Sequence, residues 1–203
     1  MKNHENSIIL ENVSCARGNR TVINNVSLKI TSGKNFIIKG QNGSGKSTFL
    51  RMLAGFQKNV NGKILFNGES IFTNQQEYQN NIFYLSENNP IKNTFSCYEN
   101  LFFWAEIEGM ENNIQEALKF QKLENLKNLP AKFLSMGQKR RLNLSRLAIT
   151  QKKIWLLDEP VNGLDEESIL RLCELIKKHL ANKGIVVIAT HVDLNLETDT
   201  FYL

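Results

Sequence analysis

The chain has 203 residues, of which 41% are hydrophobic, and this is enough to bury a core as a single domain. The net charge is only +5, without a continuous run of Lys and Arg, so nothing indicates nucleic acid as a partner. No stretch approaches the roughly 18–20 apolar residues of a membrane-spanning helix, and residues 1–6 lack the apolar core of a signal peptide. We therefore expect a protein that stays in the cytosolic compartment.

Strand patterns dominate the first 85 residues. Gly18-Asn19 and Asn67-Gly68 indicate turns between antiparallel strands. A helix is predicted over Ser47–Ala54, ending at Gly55. The alternating or apolar runs that predict strands are Ser7–Val13, Thr21–Ile30, Asn35–Lys39 and Ile82–Leu85.

Helical spacing replaces the strand pattern in an insert at about residues 88–134. Most of its aromatic side chains are expected to pack in the insert's own core, and some to face a groove that receives a helix from a partner protein. Strands and helices then alternate: a helix from Ser135 to about Thr150, the strand Ile154–Asp158, the helix Glu166–Leu180 and the strand Gly184–Thr190. This alternation predicts an α/β fold with a mainly parallel core sheet, an antiparallel β subdomain and a helical insert, in one domain over 1–203. The scattered Cys15, Cys97 and Cys173 predict reduced, buried thiols.

The most specific motif is Gly40-Gln41-Asn42-Gly43-Ser44-Gly45-Lys46-Ser47, which matches G-x-x-x-x-G-K-[ST] in full. It follows an apolar strand and opens a helix, so its backbone N–H groups and the helix N-terminus can surround an anion. Lys46 would contact the β- and γ-phosphates, and the hydroxyl of Ser47 would bind Mg²⁺. The motif predicts a nucleotide site, although phosphate loops occur in kinases, GTPases, helicases and transporters alike.

An acidic pair ends the strand at 154–158. Four mainly apolar residues, 154–157, precede Asp158 and Glu159, which places Asp158 at the carboxyl end of a buried strand. There it can act as a second Mg²⁺ ligand. Glu159 can orient or deprotonate an attacking water.

Further motifs select a family. The run Leu134-Ser135-Met136-Gly137-Gln138 opens a helix, with Ser135 as its cap and Gly137 leaving backbone N–H groups accessible. In this order and spacing with the two motifs above, it resembles the signature sequence of ABC ATPases. Asn162-Gly163-Leu164-Asp165 resembles the D-loop of that family, and His191 its switch histidine. The resemblance spans about residues 8–194 and implies a P-loop NTPase fold of the ABC ATPase type.

Two positions depart from the usual pattern of the family. Arg17 stands where many members place an aromatic side chain against adenine, and a guanidinium can also stack on a base. Glu87 stands where most members have a glutamine near the metal and the attacking water, and Asn88 is an alternative for that role.

The resemblance implies a mechanism shared between two copies. ATP with Mg²⁺ would lie between the phosphate loop of one copy and the signature residues 135–138 of the other, in a homodimer or a pair with a near relative. Glu159 would activate water, His191 would contact the γ-phosphate, and the insert would transmit the motion to an integral-membrane transporter subunit. The chain would thus be peripheral, at the cytoplasmic face of the inner membrane.

Within ABC ATPases the sequence is most similar to the ATP-binding subunits of the cytochrome c maturation, or haem exporter, family. The resemblance rests on Arg17–Arg20, on Tyr84–Glu87, on Pro90–Thr94 and on Glu99–Trp104. It implies that hydrolysis drives release of a haem-loaded chaperone. Three alternatives stay open: another small ABC exporter for a lipid, peptide or drug; a soluble ABC protein of ribosomes or DNA; and a regulatory ATP-binder that does not hydrolyse.

Overall fold

The computed structural model describes residues 6–17, 20–58 and 61–203, and it leaves out the side chains of Arg17 and Arg20. Helices α1 to α6 are, in order, Lys46–Leu53, Gln75–Gln79, Cys97–Glu108, Ile114–Phe120, Met136–Leu144 and Glu166–Ala181. Strands β1 to β9 are, in order, Ser7–Arg17, Arg20–Thr31, Asn35–Lys39, Asn61–Phe66, Glu69–Ser70, Ile82–Leu85, Ile154–Asp158, Ile185–Ala189 and Thr198–Tyr202. Among the described residues no helix is long and apolar enough to cross a membrane.

Two sheets form, as the alternation of elements predicts. The antiparallel sheet has the order β2-β1-β4-β5, and a turn at Asn67 and Gly68, with φ of 53° and 89°, joins its last two strands. The other sheet is parallel, in the order β6-β7-β8-β3-β9. The predicted α/β fold with an antiparallel subdomain is confirmed.

The described residues cluster into two compact units. The first takes in Met1–Ser86, Lys152–Pro160 and Lys177–Leu203, and contains both sheets and α1. Its core includes inward strand residues, Phe49, Leu50, Met52 and Leu53 of α1, and Tyr78 of α2. The carboxyl ends of β3, β7 and β8 lie at one edge of the parallel sheet, so the loops that follow them meet there.

The second unit takes in Glu87–Gln151 and Val161–Ile176. Its core holds Cys97, Leu101 and Ala105 of α3, which recur every four residues, together with the α4 residues predicted from their spacing. Those α4 residues are Ile114, Ala117 and Leu118. Among the aromatic side chains of the insert, Tyr98 and Trp104 pack against this core, and Phe102 and Phe103 do not. Phe102 and Phe103 are each 38% exposed, because the stripe of Cys97, Leu101 and Ala105 occupies the buried face of α3.

Several boundaries differ from the predictions. Helix α5 ends at Leu144 rather than near Thr150, and a short 3₁₀ segment, Ser145–Ala148, continues it. The edge strand β9 and the five-residue α2 were not predicted, because neither has an apolar run or a helical stripe. The three cysteines are buried and none of them forms a disulfide, as expected.

Candidate active site

The phosphate loop connects β3 to α1 within the first unit. Gly45 has φ of 114°, a conformation that side chains rarely adopt, and it serves as the N-cap of α1 without a side-chain cap. Because the N-cap glycine has no side chain, the backbone N–H groups at the start of α1 have no side-chain cap and can bind an anion. Helix α1 packs against β7 and β8, so Ser47 at its start lies at the edge where those strands end.

Lys46 is held inside this loop. Its Nζ donates to the carbonyl oxygens of Gly40 at 2.9 Å and Gln41 at 3.2 Å, and only 7% of its side chain is exposed. Glu159 Oε1 lies 3.9 Å from the same Nζ. The positive charge is thus fixed between the loop and the acidic pair, where it can attract a phosphate.

Glu159 is the residue that connects the separate motifs. Its Oε2 lies 3.2 Å from Nδ1 of His191, so one carboxylate contacts both Lys46 and the histidine after β8. Parallel pairing explains this proximity, because Asp158 is opposite Ala189 in the register of β7 and β8. Glu159 has φ of 43°, in the left-handed region, and its N–H donates to the carbonyl of Ala189 at 2.8 Å. Strained backbone of this kind is concentrated at functional sites.

Asp158 offers a buried carboxylate at the same sheet edge, with 3% of the residue exposed. Burial, and to a smaller extent the negative charge of Asp158, raise the pKa of Tyr84 on the neighbouring strand. Hydroxyl and carboxylate oxygens are ligands that Mg²⁺ accepts, and phosphates and water supply its remaining ligands in nucleotide sites. The donor set of Ser47 and Asp158 therefore fits Mg²⁺, which would balance the charge of the phosphates when bound.

The signature residues lie in the second unit, at the start of α5. Ser135 Oγ accepts from the N–H of Gln138 at 3.2 Å, and Gln138 Oε1 accepts from the N–H of Ser135 at 2.8 Å. This reciprocal capping box makes Ser135 the N-cap of the helix, as predicted. Met136 is 74% exposed, and a Cβ at Gly137 would lie 3.3 Å from the carbonyl oxygen of Gly163.

The segment that resembles a D-loop also ends in a cap. Asp165 Oδ1 accepts from the N–H of Ser168 at 2.8 Å. Bonds from the Ser168 side chain and backbone lower the pKa of Asp165, which keeps the carboxylate ionised at the start of α6.

A family model described as "ABC transporter" matches residues 23–162. The chain belongs to the ABC transporter family. Relatives include ABC transporter I family member 1 of Arabidopsis thaliana, 38% identical over 94% of this chain and 84% of that protein. Another is the cytochrome c biogenesis ATP-binding export protein CcmA of Paracoccus denitrificans, 39% identical over 94% of this chain and 85% of that protein.

A solved structure from Pyrococcus furiosus, described as a putative ABC transporter ATP-binding protein, has the same fold. It superposes with a TM-score of 0.84 at 27% identity and covers 97% of each chain. As an ABC ATPase, this chain is the ATP-binding subunit of a transporter. ABC subunits of this type form dimers and associate with membrane subunits.

The predicted site residues thus fall into two groups in this ABC ATPase. The phosphate loop, Asp158, Glu159 and His191 belong to the first unit, and Glu87 and residues 135–138 to the second. The side chain of Arg17 lies outside the described residues, so its place against a base stays a prediction. Sequence reasoning missed Tyr84 beside Asp158, because a tyrosine inside a short apolar strand looks like an ordinary core residue.

Proposed function

We propose that this chain is the ATP-hydrolysing subunit of a membrane complex that supports cytochrome c maturation, the haem exporter. The observation that carries the proposal is similarity, over nearly the whole chain, to several proteins named CcmA. Hydrolysis would drive release of a haem-loaded chaperone from the complex. A second candidate is another small ABC exporter for a lipid, peptide or drug, because the name of the Arabidopsis relative specifies no substrate.

The proposed chemistry assigns a role to each site residue. Residues 40–47 bind the phosphates of ATP, Arg17 stacks on the base, and Ser47 and Asp158 hold Mg²⁺. Glu159 accepts a proton from the attacking water, while His191, held against it at 3.2 Å, contacts the γ-phosphate. Glu87 contacts the metal or the water. Residues 135–138 contact the ATP bound by a second copy, and residues 88–134 act as the helical subdomain of one ABC domain over 1–203.

The exposed face of α3 supplies a surface for the membrane subunit. A cavity of about 310 Å³ lies on it, with apolar walls from Phe102 and Phe103 and two acidic side chains, Glu99 and Glu106. Cytoplasmic loops of membrane proteins carry an excess of Lys and Arg. We assign this groove to a cytoplasmic loop of the membrane subunit, because such a loop complements both the apolar walls and the negative charge.

Purification from gently solubilised native membranes tests the proposal. We expect the tagged chain to recover the membrane subunits of cytochrome c maturation, and the double variant Phe102→Ala, Glu106→Lys to recover about tenfold less of them. The control is Glu116→Lys, an exposed charge reversal on α4 outside the groove. An unrelated permease in the sample would favour the second candidate, and ribosomal or DNA-bound partners alone would contradict the transporter assignment.

A further inference from the structure

The loop 87–89 in the second unit is attached to α5 by buried polar side chains. Arg140 Nη1 donates to the carbonyl oxygen of Glu87 at 3.1 Å and to Oδ1 of Asn89 at 3.0 Å. Nδ2 of Asn143 donates to the same oxygen of Asn89 at 3.1 Å. Three hydrogen bonds from one helix therefore converge on two residues of this loop, Glu87 and Asn89.

The connection continues from α5 into the 3₁₀ segment Ser145–Ala148 that follows it. Oδ1 of Asn143 accepts from Nη1 of Arg146 at 3.0 Å, and the guanidinium of Arg146 lies 3.8 Å from the ring centre of Trp104. Burial lowers the pKa of Arg146 to about 10. Asn143, which binds the loop, is thus itself bound by Arg146, and Arg146 lies against Trp104 of α3.

Burial of these polar groups carries a desolvation cost, which suggests that their hydrogen bonds have a functional role. Arg140 is 3% exposed and Asn143 is 1% exposed. Apolar residues of similar volume would pack such positions without the desolvation of a guanidinium and an amide. Buried polar networks that are satisfied in one geometry favour that geometry over others.

We propose that Arg140, Asn143 and Asn89 are positioning residues for ATP turnover. They fix the backbone of Glu87 relative to α5, and Arg140 follows the signature residue Gln138 by only two positions on that rigid helix. Glu87 and residues 135–138 consequently move as one body when ATP binds or leaves. This inference rests on the proposed function, since it takes Glu87 and the signature residues as parts of the ATPase.

The experiment uses the full chain in complex with its membrane subunit and measures steady-state ATP hydrolysis. Asn89→Ala removes the acceptor of two hydrogen bonds, and we expect kcat to fall about tenfold with KM for ATP within about twofold of the wild type. Asn89→Asp keeps an acceptor oxygen for Arg140 and Asn143, and should restore kcat to within about threefold. A purely structural loss would not be rescued in this way while leaving KM unchanged.

Asn93→Ala is the matched control, since Asn93 Oδ1 accepts from Nζ of Lys139 on α5 at 3.1 Å, but at the exposed surface. Asn143→Ala removes one of the bonds to Asn89 and provides a second test if Asn89→Ala folds poorly. The double variant Asn89→Ala, Asn143→Ala should lose no more kcat than Asn89→Ala alone, because the two residues share one bond.

Unchanged kcat in Asn89→Ala, an equal loss in Asn93→Ala, additive losses in the double variant, or failure of Asn89→Asp to restore kcat would each overturn the positioning role. If the wild-type complex hydrolyses ATP and Asn89→Ala is unaffected, only this inference fails. A wild-type complex without ATP hydrolysis would overturn the proposed function and this inference together.

Discussion

At the scale of single residues, Asn35 is a polar side chain buried in an apolar environment. It is 1% exposed at the start of β3, and neither Oδ1 nor Nδ2 has a hydrogen-bond partner among the described residues. Its neighbours Phe36 and Ile38 belong to the core of the first unit. An unpaired buried amide costs about 1–3 kcal/mol, so Asn35 destabilises the folded state relative to an apolar residue at this position.

We expect Asn35→Val to raise the free energy of unfolding by about 1 kcal/mol, because it removes this unpaired amide. Urea denaturation measures the change. Asn24→Val, on an exposed position of β2, controls for the preference of valine for strands. An increase no larger than that of the control would contradict the explanation.

Burial also changes the protonation of His179. Its ring stacks on Trp155 with centres 3.9 Å apart and planes 7° apart, and its Nε2 lies 3.2 Å from the carbonyl oxygen of Lys153. Burial lowers the pKa of His179 from 6.5 to about 4, although the hydrogen bonds oppose the shift. Between these values the unfolded chain holds a proton that the folded protein has released.

The free energy of unfolding should therefore fall as the pH drops from about 6.5 to 4, by about 3 kcal/mol from this group. His179→Phe keeps a ring beside Trp155 but cannot titrate, so it should remove this part of the pH dependence. Urea denaturation at a series of pH values gives both curves. Parallel curves for the two proteins would show that His179 does not cause the dependence.

At the scale of elements, α3 and α5 begin in the same way. Ser96 Oγ accepts from the N–H of Glu99 at 3.1 Å, and Glu99 Oε2 accepts from the N–H of Ser96 at 2.7 Å. Hydrogen bonds from the backbone N–H and the side chain of Ser96 lower the pKa of Glu99. Ser135 and Gln138 form the corresponding box on α5. Substitution of Ser135 would disturb both a helix cap and a proposed ATP contact, whereas substitution of Ser96 tests the effect of a helix cap alone.

Ser96→Ala should lower the free energy of unfolding by about 1 kcal/mol, because the N–H of Glu99 loses its acceptor. Ser96→Thr keeps a hydroxyl and should stay close to the wild type. Urea denaturation of the three proteins makes the comparison. Equal losses in both variants would mean that the hydroxyl does not act as a cap.

At the scale of the whole molecule, the proposed ATP site is shared between two copies of the chain. Glu159→Gln removes the proposed proton acceptor and keeps the shape of the side chain, so ATP should bind without being hydrolysed. We expect this variant to form a dimer with ATP and Mg²⁺ that size-exclusion chromatography resolves from the monomer. Glu166→Gln, an exposed substitution on α6, is the control. A Glu159→Gln protein that stays monomeric with ATP would contradict the shared site.

Much of this ATPase could be predicted from its sequence. The phosphate loop, the acidic pair and the capped signature helix are each contiguous, so backbone preferences and the spacing of a few residues are enough to recognise them. The alternation of strand and helix patterns similarly determined the fold class. Roles that depend on a bound nucleotide, such as that of Arg17, stay predictions.

Only the tertiary structure decided which distant residues meet. Glu159 reaches His191 because β7 and β8 pair in parallel with Asp158 opposite Ala189, and such a register depends on the whole sheet. Asn89 meets Asn143 across 54 positions of the chain by the same kind of long-range packing. The edge strand β9 forms by pairing with β3, although its own residues show no strand pattern. Local patterns follow from the preferences of neighbouring residues, whereas these contacts depend on packing among segments far apart in the chain.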